Sequence, residues 1–441
     1  MSRLGHLFMR HGHANWAFAD QAVVSGSNFV TGILLARFLG PEAFGLFVLL
    51  NLVMLYVNSF QGALIFTPMI SAAPQLTPEK RDRYLRGVFG LQLVLSLGLA
   101  LLALGLGTAV MAFNPFGIGE RLTDPIIVAL ACALLAFQLQ DLQRRYYFVL
   151  ENARAAFAND IISYGGQVTL ILLFGMRETL TVATAFAIIA GSSFTAFAVG
   201  NLHSGLRPAM KEARDVLVDG WRTGRDYLVA WQFQWIGTQG VLMIGGGMLG
   251  TQAAGAVRAA QNVVGPFNIV FQAMDNVIPV MAARRYAEHG MDKLVSFLWR
   301  ISLAATAVLL PVLVALAVFA EPIVRVLYGA RYVDAAELVA LQAAYVFLQF
   351  HLRQALFFLR TLAATGAIIR VGMVMAACGV LVAWFTIEAW GVSGIMVAHL
   401  SGTLAALLYG LFASRSLIRR RAATSEAAAA DGLLSRARKG A

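Results

Sequence analysis

Long apolar runs alternate with short polar or charged breaks along the whole chain. Set against the breakers, the runs predict twelve spans, near 17–38, 44–72, 87–112, 125–149, 159–175, 180–200, 227–249, 253–281, 297–319, 334–358, 367–386 and 390–414. Eleven of them have 20 residues or more and the shortest, 159–175, has 17, all enough for an α-helix to cross a bilayer's hydrocarbon core. An all-α polytopic membrane protein is expected.

The polar positions inside the runs are also periodic. In the eighth span Arg258, Gln261, Gly265, Asn268, Gln272 and Asp275 follow one another at spacings of 3, 4, 3, 4 and 3. At 3.6 residues per turn these positions share roughly one third of the helix circumference, with Asn262 and Asn276 at its margin. An Arg, an Asp and several amides are costly in hydrocarbon unless they face protein or water, so the stripe predicts an interior surface. Arg258 and Asp275 lie about 25 Å apart along a helix, too far to pair with each other. The second span carries a weaker echo in Asn51, Asn58 and Gln61, and the seventh adds Gln232, Trp235 and Gln239 on a common face. Any one amide reads more simply as a hydrogen bond between helices; the stripe as a whole predicts a water-filled path between two lobes.

A repeat gives those lobes. LGPEAFG (39–45) separates the first two spans, and 210 positions later LGTQAAG (249–255) separates the seventh and eighth. At the same offset Asn51 falls on Gln261 and Asn58 on Asn268; one residue further, Gln61 falls on Gln272 and Pro68 on Pro279. Two six-span halves related by internal duplication are expected, in parallel orientation. The boundaries are 1–200 for the first lobe, 201–226 for a charged inter-lobe linker, 227–414 for the second lobe and 415–441 for a basic tail.

Composition agrees: 59 % of the 441 residues are hydrophobic and 13 % charged, too little polar surface for a soluble domain. The net charge of +11 is mostly a topology signal. With the N-terminus inside, 27 of the 34 Lys and Arg fall on one side, six on the other, and Arg353 sits within a span. Both termini are therefore expected in the cytoplasm, and a nucleic-acid partner is not. The basic start MSRLGHLFMRHGHANW has no signal-peptide character. The segment EPIVRVLYGARYVDAAE, the longest of the outward connections, reads as a short surface helix, and no loop is large enough for a catalytic domain, so an enzyme is not expected. Cys132 and Cys378 have no nearby Cys or His at ligand spacing and read as packing residues.

Charges in the path point to the cargo. Arg37, Arg258 and Arg353 offer planar donors suited to phosphate oxygens, which favours an anionic substrate; Arg37 and Arg353 can equally snorkel to the interfaces. Among carboxylates near the spans (Asp20, Asp141, Asp160, Asp226, Asp275 and Glu388), Asp20 and Asp275 are candidates for coupling to an ion, though Asp20 also suits a helix N-terminus. His399 reads as a hydrogen-bonded packing residue. No phosphate loop, nucleophile elbow or metal cluster is found, and no cofactor is expected beyond H+, Na+ or membrane-potential coupling.

The run DQAVVSGSNFVTGILLARFLGPEAFG (20–45), AVRAAQNVVGP (256–266) with AMDNVIPVMAAR, and LYGARY (327–332) resemble the bacterial polysaccharide transporter family. Its members are flippases for undecaprenyl-diphosphate-linked oligosaccharides, such as O-antigen or exopolysaccharide repeat units. They belong to the multidrug, oligosaccharidyl-lipid and polysaccharide exporter (MOP) superfamily. The resemblance implies a V-shaped pair of lobes rocking around a central cavity in the bacterial inner membrane. It implies a diphosphate held by Arg258, Arg37 and Arg353, a lipid tail left in the bilayer, and polymerase or assembly proteins as partners. The substrate-binding set expected is Arg37, Asn58, Gln61, Gln232, Gln239, Arg258, Gln261, Asn262, Asn268, Gln272 and Arg353. Two alternatives stay open: a cation-coupled multidrug antiporter of the same fold, which would need an acidic cavity, and a scaffold of a polysaccharide assembly complex that transports nothing.

Overall fold

The computed structural model describes residues 3–114 and 119–439, with side chains except at 3–14, 222, 223, 226, 227, 230, 273, 276 and 422–439. The side chains of Asp226 and Asn276 and those of most of the basic tail lie outside the described residues. Among the described residues every regular element is helical, as a bilayer-spanning chain without barrel strands requires.

Among the described residues eight helices are long and apolar enough to cross a membrane. Three of them, Asn15–Gln75, Phe267–Val318 and Thr365–Arg421, each take in parts of two predicted spans and leave helical geometry at Gly40, Gly290 and Gly391. At Gly391 the chain folds back on itself: Thr386 Oγ1 donates to the Gly394 carbonyl at 2.9 Å, and Cys378 Sγ contacts the Ser401 carbonyl at 3.7 Å. The predicted spans 227–249 and 253–281 are not single helices. The first is divided among Met210–Trp235, a π-helical turn Ile236–Gly240 and Val241–Leu249. The second is divided between Thr251–Val263 and the start of Phe267–Val318, because Pro266 has no N–H and the chain tightens through Gly265, whose N–H donates to the Asn262 carbonyl at 2.9 Å.

The stretch 201–226 is helical from Met210 onward and clamps onto the helix Pro78–Phe113. The Ala209 N–H donates to the Arg86 carbonyl at 2.9 Å, Arg83 Nε lies 3.1 Å from Glu212, and a Cβ on Gly90 would stand 2.8 Å from the Ala209 carbonyl oxygen. Helix Met210–Trp235 thus begins on the first half of the chain, and Val241–Leu249 packs on the second.

The arrangement of the core gives the molecule its shape. One apolar cluster draws on both halves, from Leu35, Phe44 and Phe186 to Leu242, Val257 and Met396. Two others belong to one half each: Ile65, Phe89 and Leu142 with Val216, and Ile278, Leu298 and Phe357 with Leu407. The shared cluster lies toward the corners at Gly40 and Gly250, here called the far face. The separate clusters lie at the opposite end, the basic face, with Arg83, Arg145, Arg284 and Arg421. The two lobes are therefore joined at the far face and divided at the basic face, as in a V.

The corners at the apex match. Gly40 has φ 76° and ψ 171°, and Gly250 has φ 88° and ψ 175°, left-handed values that L side chains avoid. The helices that follow pack at backbone contact, with Gly45 against Thr251 and Gly255 against Pro41. The segment expected as a short surface helix, Ala320–Tyr328 continued by Ala330–Ala335, buries one face in this seal. The Tyr328 hydroxyl donates to the Ala259 carbonyl at 3.2 Å, and Tyr332 meets Phe44 edge to face.

Candidate functional site

Between the lobes lies a cavity of about 520 Å3. Helix Thr251–Val263 and the turn after it give it Arg258, Gln261, Asn262 and Asn268, and Gln272 follows one turn later. Except for Asn262, at its margin, these are residues the 3-4 spacing places on one face. Gln234, Thr238 and Gln239 enter from the π-helical region. A π turn inserts an extra residue and re-aims the side chains around it, which helps bring Gln234 and Gln239 to the same wall.

Four expected site residues lie elsewhere. Arg37 is exposed near the far end of the first span and does not line the cavity. Gln61 is fully buried within the first lobe, where its Nε2 donates to the Gln138 carbonyl at 3.0 Å. Asn58 and Gln232 are half-buried and also absent from the cavity wall. Conversely Ser25, Asn28, Gln342 and Gln349 line it without having been expected to. Their signals were present: Ser25 and Asn28 stand three apart in the first span, and Gln342, Gln349 and Arg353 follow at spacings of 7 and 4, which share one helix face.

The charges sort into three groups. Arg353 forms an ion pair with Asp275 and lies over the Phe271 ring at 5.0 Å, so it reaches the cavity already neutralised. Asp20 is fully buried 18 residues inside the helix that starts at Arg3, which excludes the N-terminal dipole role. Its carboxylate lies 2.5 Å from Arg144, whose Nε lies 2.6 Å from Asp160. Gln140 also donates to Asp160, at 2.8 Å. Asp20 and Arg144 of this triad, with Asp275, border an opening of about 560 Å3 at the basic face.

Arg258 is the third group. Its guanidinium donates to Gln261 at 3.2 Å, and among the described residues no carboxylate lies within 4 Å of it. Apart from Arg353, which Asp275 already neutralises, the polar groups around it in the cavity are amides and hydroxyls, so its charge is not balanced by the wall. A guanidinium in that setting can bind a phosphate or carboxylate through paired hydrogen bonds. His399, buried, packs its ring 5.8 Å from Tyr345 and leaves Nε2 without a partner. Cys132 is exposed and Cys378 half-buried, and among the described residues no group of three or more His, Cys, Asp or Glu could hold a metal ion.

The fold is that of the MOP superfamily of membrane transporters. The chain superposes on an inward-facing multidrug resistance MATE transporter with a TM-score of 0.75 at 16 % identity, covering 92 % of this chain and 96 % of that one. Against an outward-facing MATE transporter the TM-score is 0.63 at 16 % identity, covering 92 % and 94 %. A MOP transporter from Pyrococcus furiosus, described as having a binding pocket of reverse polarity that suggests a different function, gives 0.64 at 14 % identity, covering 92 % and 94 %. Residues 34–337, more than half of the chain, match a family described as polysaccharide biosynthesis protein, and the chain belongs to that family. No curated protein matches it.

Proposed function

We propose that the protein is a flippase that carries a polyprenyl-diphosphate-linked oligosaccharide across the bacterial inner membrane by alternating access. The observation that carries this reading is Arg258: a guanidinium with no carboxylate partner among the described residues, set among neutral amides in a cavity between two lobes. An anionic diphosphate supplies the missing charge, and the amides suit the hydroxyls of a glycan. An organic-cation antiporter would have to desolvate its cargo beside this cation, which disfavours that reading. Membership of a polysaccharide biosynthesis family supports a glycan cargo.

The basic face is the cytoplasmic side, by the bias of Lys and Arg toward cytoplasmic loops. The cavity then opens toward the leaflet where such lipids are made, and the far-face seal closes the other side. The higher likeness to an inward-facing relative supports this state. The lipid tail stays in the bilayer while the diphosphate and glycan cross inside.

The test is reconstitution in proteoliposomes with a fluorescent polyprenyl-diphosphate oligosaccharide, following the loss of its accessibility to a membrane-impermeant quencher. Wild type moves the lipid, and Arg258→Ala at equal reconstitution does not. A wild type that leaves the lipid in place but exchanges an organic cation for protons or sodium overturns the proposal.

A further inference from the structure

The duplication reaches beyond the corners at Gly40 and Gly250. Residues 119–124 read GERLTD and residues 329–334 read GARYVD, the same G-x-R-x-x-D at the same offset of 210. Both copies form 3-10 turns, Gly119–Arg121 and Ala330–Ala335, and each turn runs on toward a long helix, Asp124–Val149 or Ala336–Thr361. The residue after each arginine, Leu122 or Tyr332, is buried in the apolar cluster that the two halves share. Each turn also reaches the opposite half. Arg121 hydrogen-bonds the Thr251 hydroxyl beside the second corner, while Glu42 of its own half holds the same guanidinium at 3.0 Å. Arg331 lies over the first corner, its Nη1 3.6 Å from where a Cβ on Gly40 would stand, and Tyr332 meets the Phe44 ring edge to face with centroids 6.4 Å apart. The two contacts differ in chemistry. The counterpart of Thr251 is Pro41, which has no hydroxyl, so the second turn holds by packing where the first holds by a hydrogen bond.

We propose that the two turns form a reciprocal clasp, each half gripping the other's corner, and that the clasp sets how often the far face opens. Moving the halves apart at that face must break the Arg121–Thr251 and Tyr332–Phe44 contacts together. Two modest contacts suit that task, because both can be lost in the outward-open state and regained on closure in every cycle. Neither arginine lines the cavity between the lobes, so the clasp shifts the balance of the two states without touching cargo. The inference rests on the transporter fold and not on the proposed cargo, so either can fail without the other.

The test uses the full chain with Cys132 and Cys378 replaced by Ser and one reporter, Ser25→Cys, in the cavity wall. A membrane-impermeant maleimide is applied to spheroplasts, where it reaches the cavity only through the far face, and to inside-out vesicles, where it enters from the basic face. Arg121→Met and Tyr332→Leu should each speed labelling in spheroplasts about two- to tenfold, the equilibrium worth of one hydrogen bond or one ring contact. The double variant should speed it further, and labelling in inside-out vesicles should not rise. Arg177→Met, which removes another exposed arginine from the same side of the membrane, should label as the parent does. The clasp is overturned if either variant labels at the parent rate, if Arg177→Met matches them, or if labelling rises from both sides, the mark of a loosened fold.

Discussion

Gly45 and Gly255, equivalent positions of the two halves, meet backbone to backbone at the far face. A Cβ on Gly45 would lie 1.7 Å from the Thr251 carbonyl oxygen, and one on Gly255 would lie 2.5 Å from that of Pro41 and 3.1 Å from the Gly45 nitrogen. The repeated corner is therefore where the two lobes touch, and close helix contact of this kind depends on small residues.

Gly45→Val should accordingly destabilise the protein by about 1–3 kcal/mol, because backbone, unlike a flexible side chain, cannot move aside. Gly247→Val, where a Cβ would meet nothing within 4 Å, serves as the control and should change little. Thermal unfolding in detergent compares the two. Equal losses would mean that the seal does not depend on this contact.

The Asp20–Arg144–Asp160 triad sets two fully buried carboxylates on one guanidinium. Arg144→Met leaves both without their counter-ion and should cost about 3–5 kcal/mol. The triple variant Asp20→Asn, Arg144→Met, Asp160→Asn removes the charges together and should recover most of that loss in the same unfolding assay. A triple variant no more stable than Arg144→Met alone would contradict the assignment of the cost to uncompensated charge.

Asp275 keeps Arg353 neutralised, so Asp275→Asn should give the cavity a second unbalanced cation. Binding of polyprenyl diphosphate should tighten severalfold at low salt and lose that gain at high salt, where charges are screened. In an Arg353→Met background the same Asp275→Asn change should have no such effect. Titration at two ionic strengths measures both.

The parts of this site legible in the sequence were those carried by one helix. The 3-4 spacing of Arg258, Gln261, Asn268 and Gln272 defined a face, and the face lines the cavity. The repeat marked by Gly40 and Gly250 fixed a corner whose dihedrals match. Contacts between helices were not legible. Arg353 looked like a free cation because Asp275, its partner, lies 78 residues away. Arg144 drew no attention beside its carboxylates because Asp20 is 124 residues distant. Arg37 and Gln61 show the same limit: hydropathy gives a residue's depth, and only packing decides whether it faces lipid, its own lobe or the cavity. The two helices expected at 227–249 and 253–281 break where Pro266 and the π turn interrupt the ladder, and the polar residues that line the cavity lie beside those breaks.

Alternating access requires the far-face seal to open in every cycle. Arg121 of the first half contacts both Glu42 of its own half and, across that seal, Thr251 of the second, which places the Glu42 and Thr251 side chains within reach of a short bifunctional thiol reagent. The decisive measurement is lipid transport by Glu42→Cys/Thr251→Cys, with Cys132 and Cys378 replaced by Ser, before cross-linking, after cross-linking with a cleavable reagent, and after cleavage. Transport should stop on cross-linking and return on cleavage. Undiminished transport by the fully cross-linked protein would contradict the account.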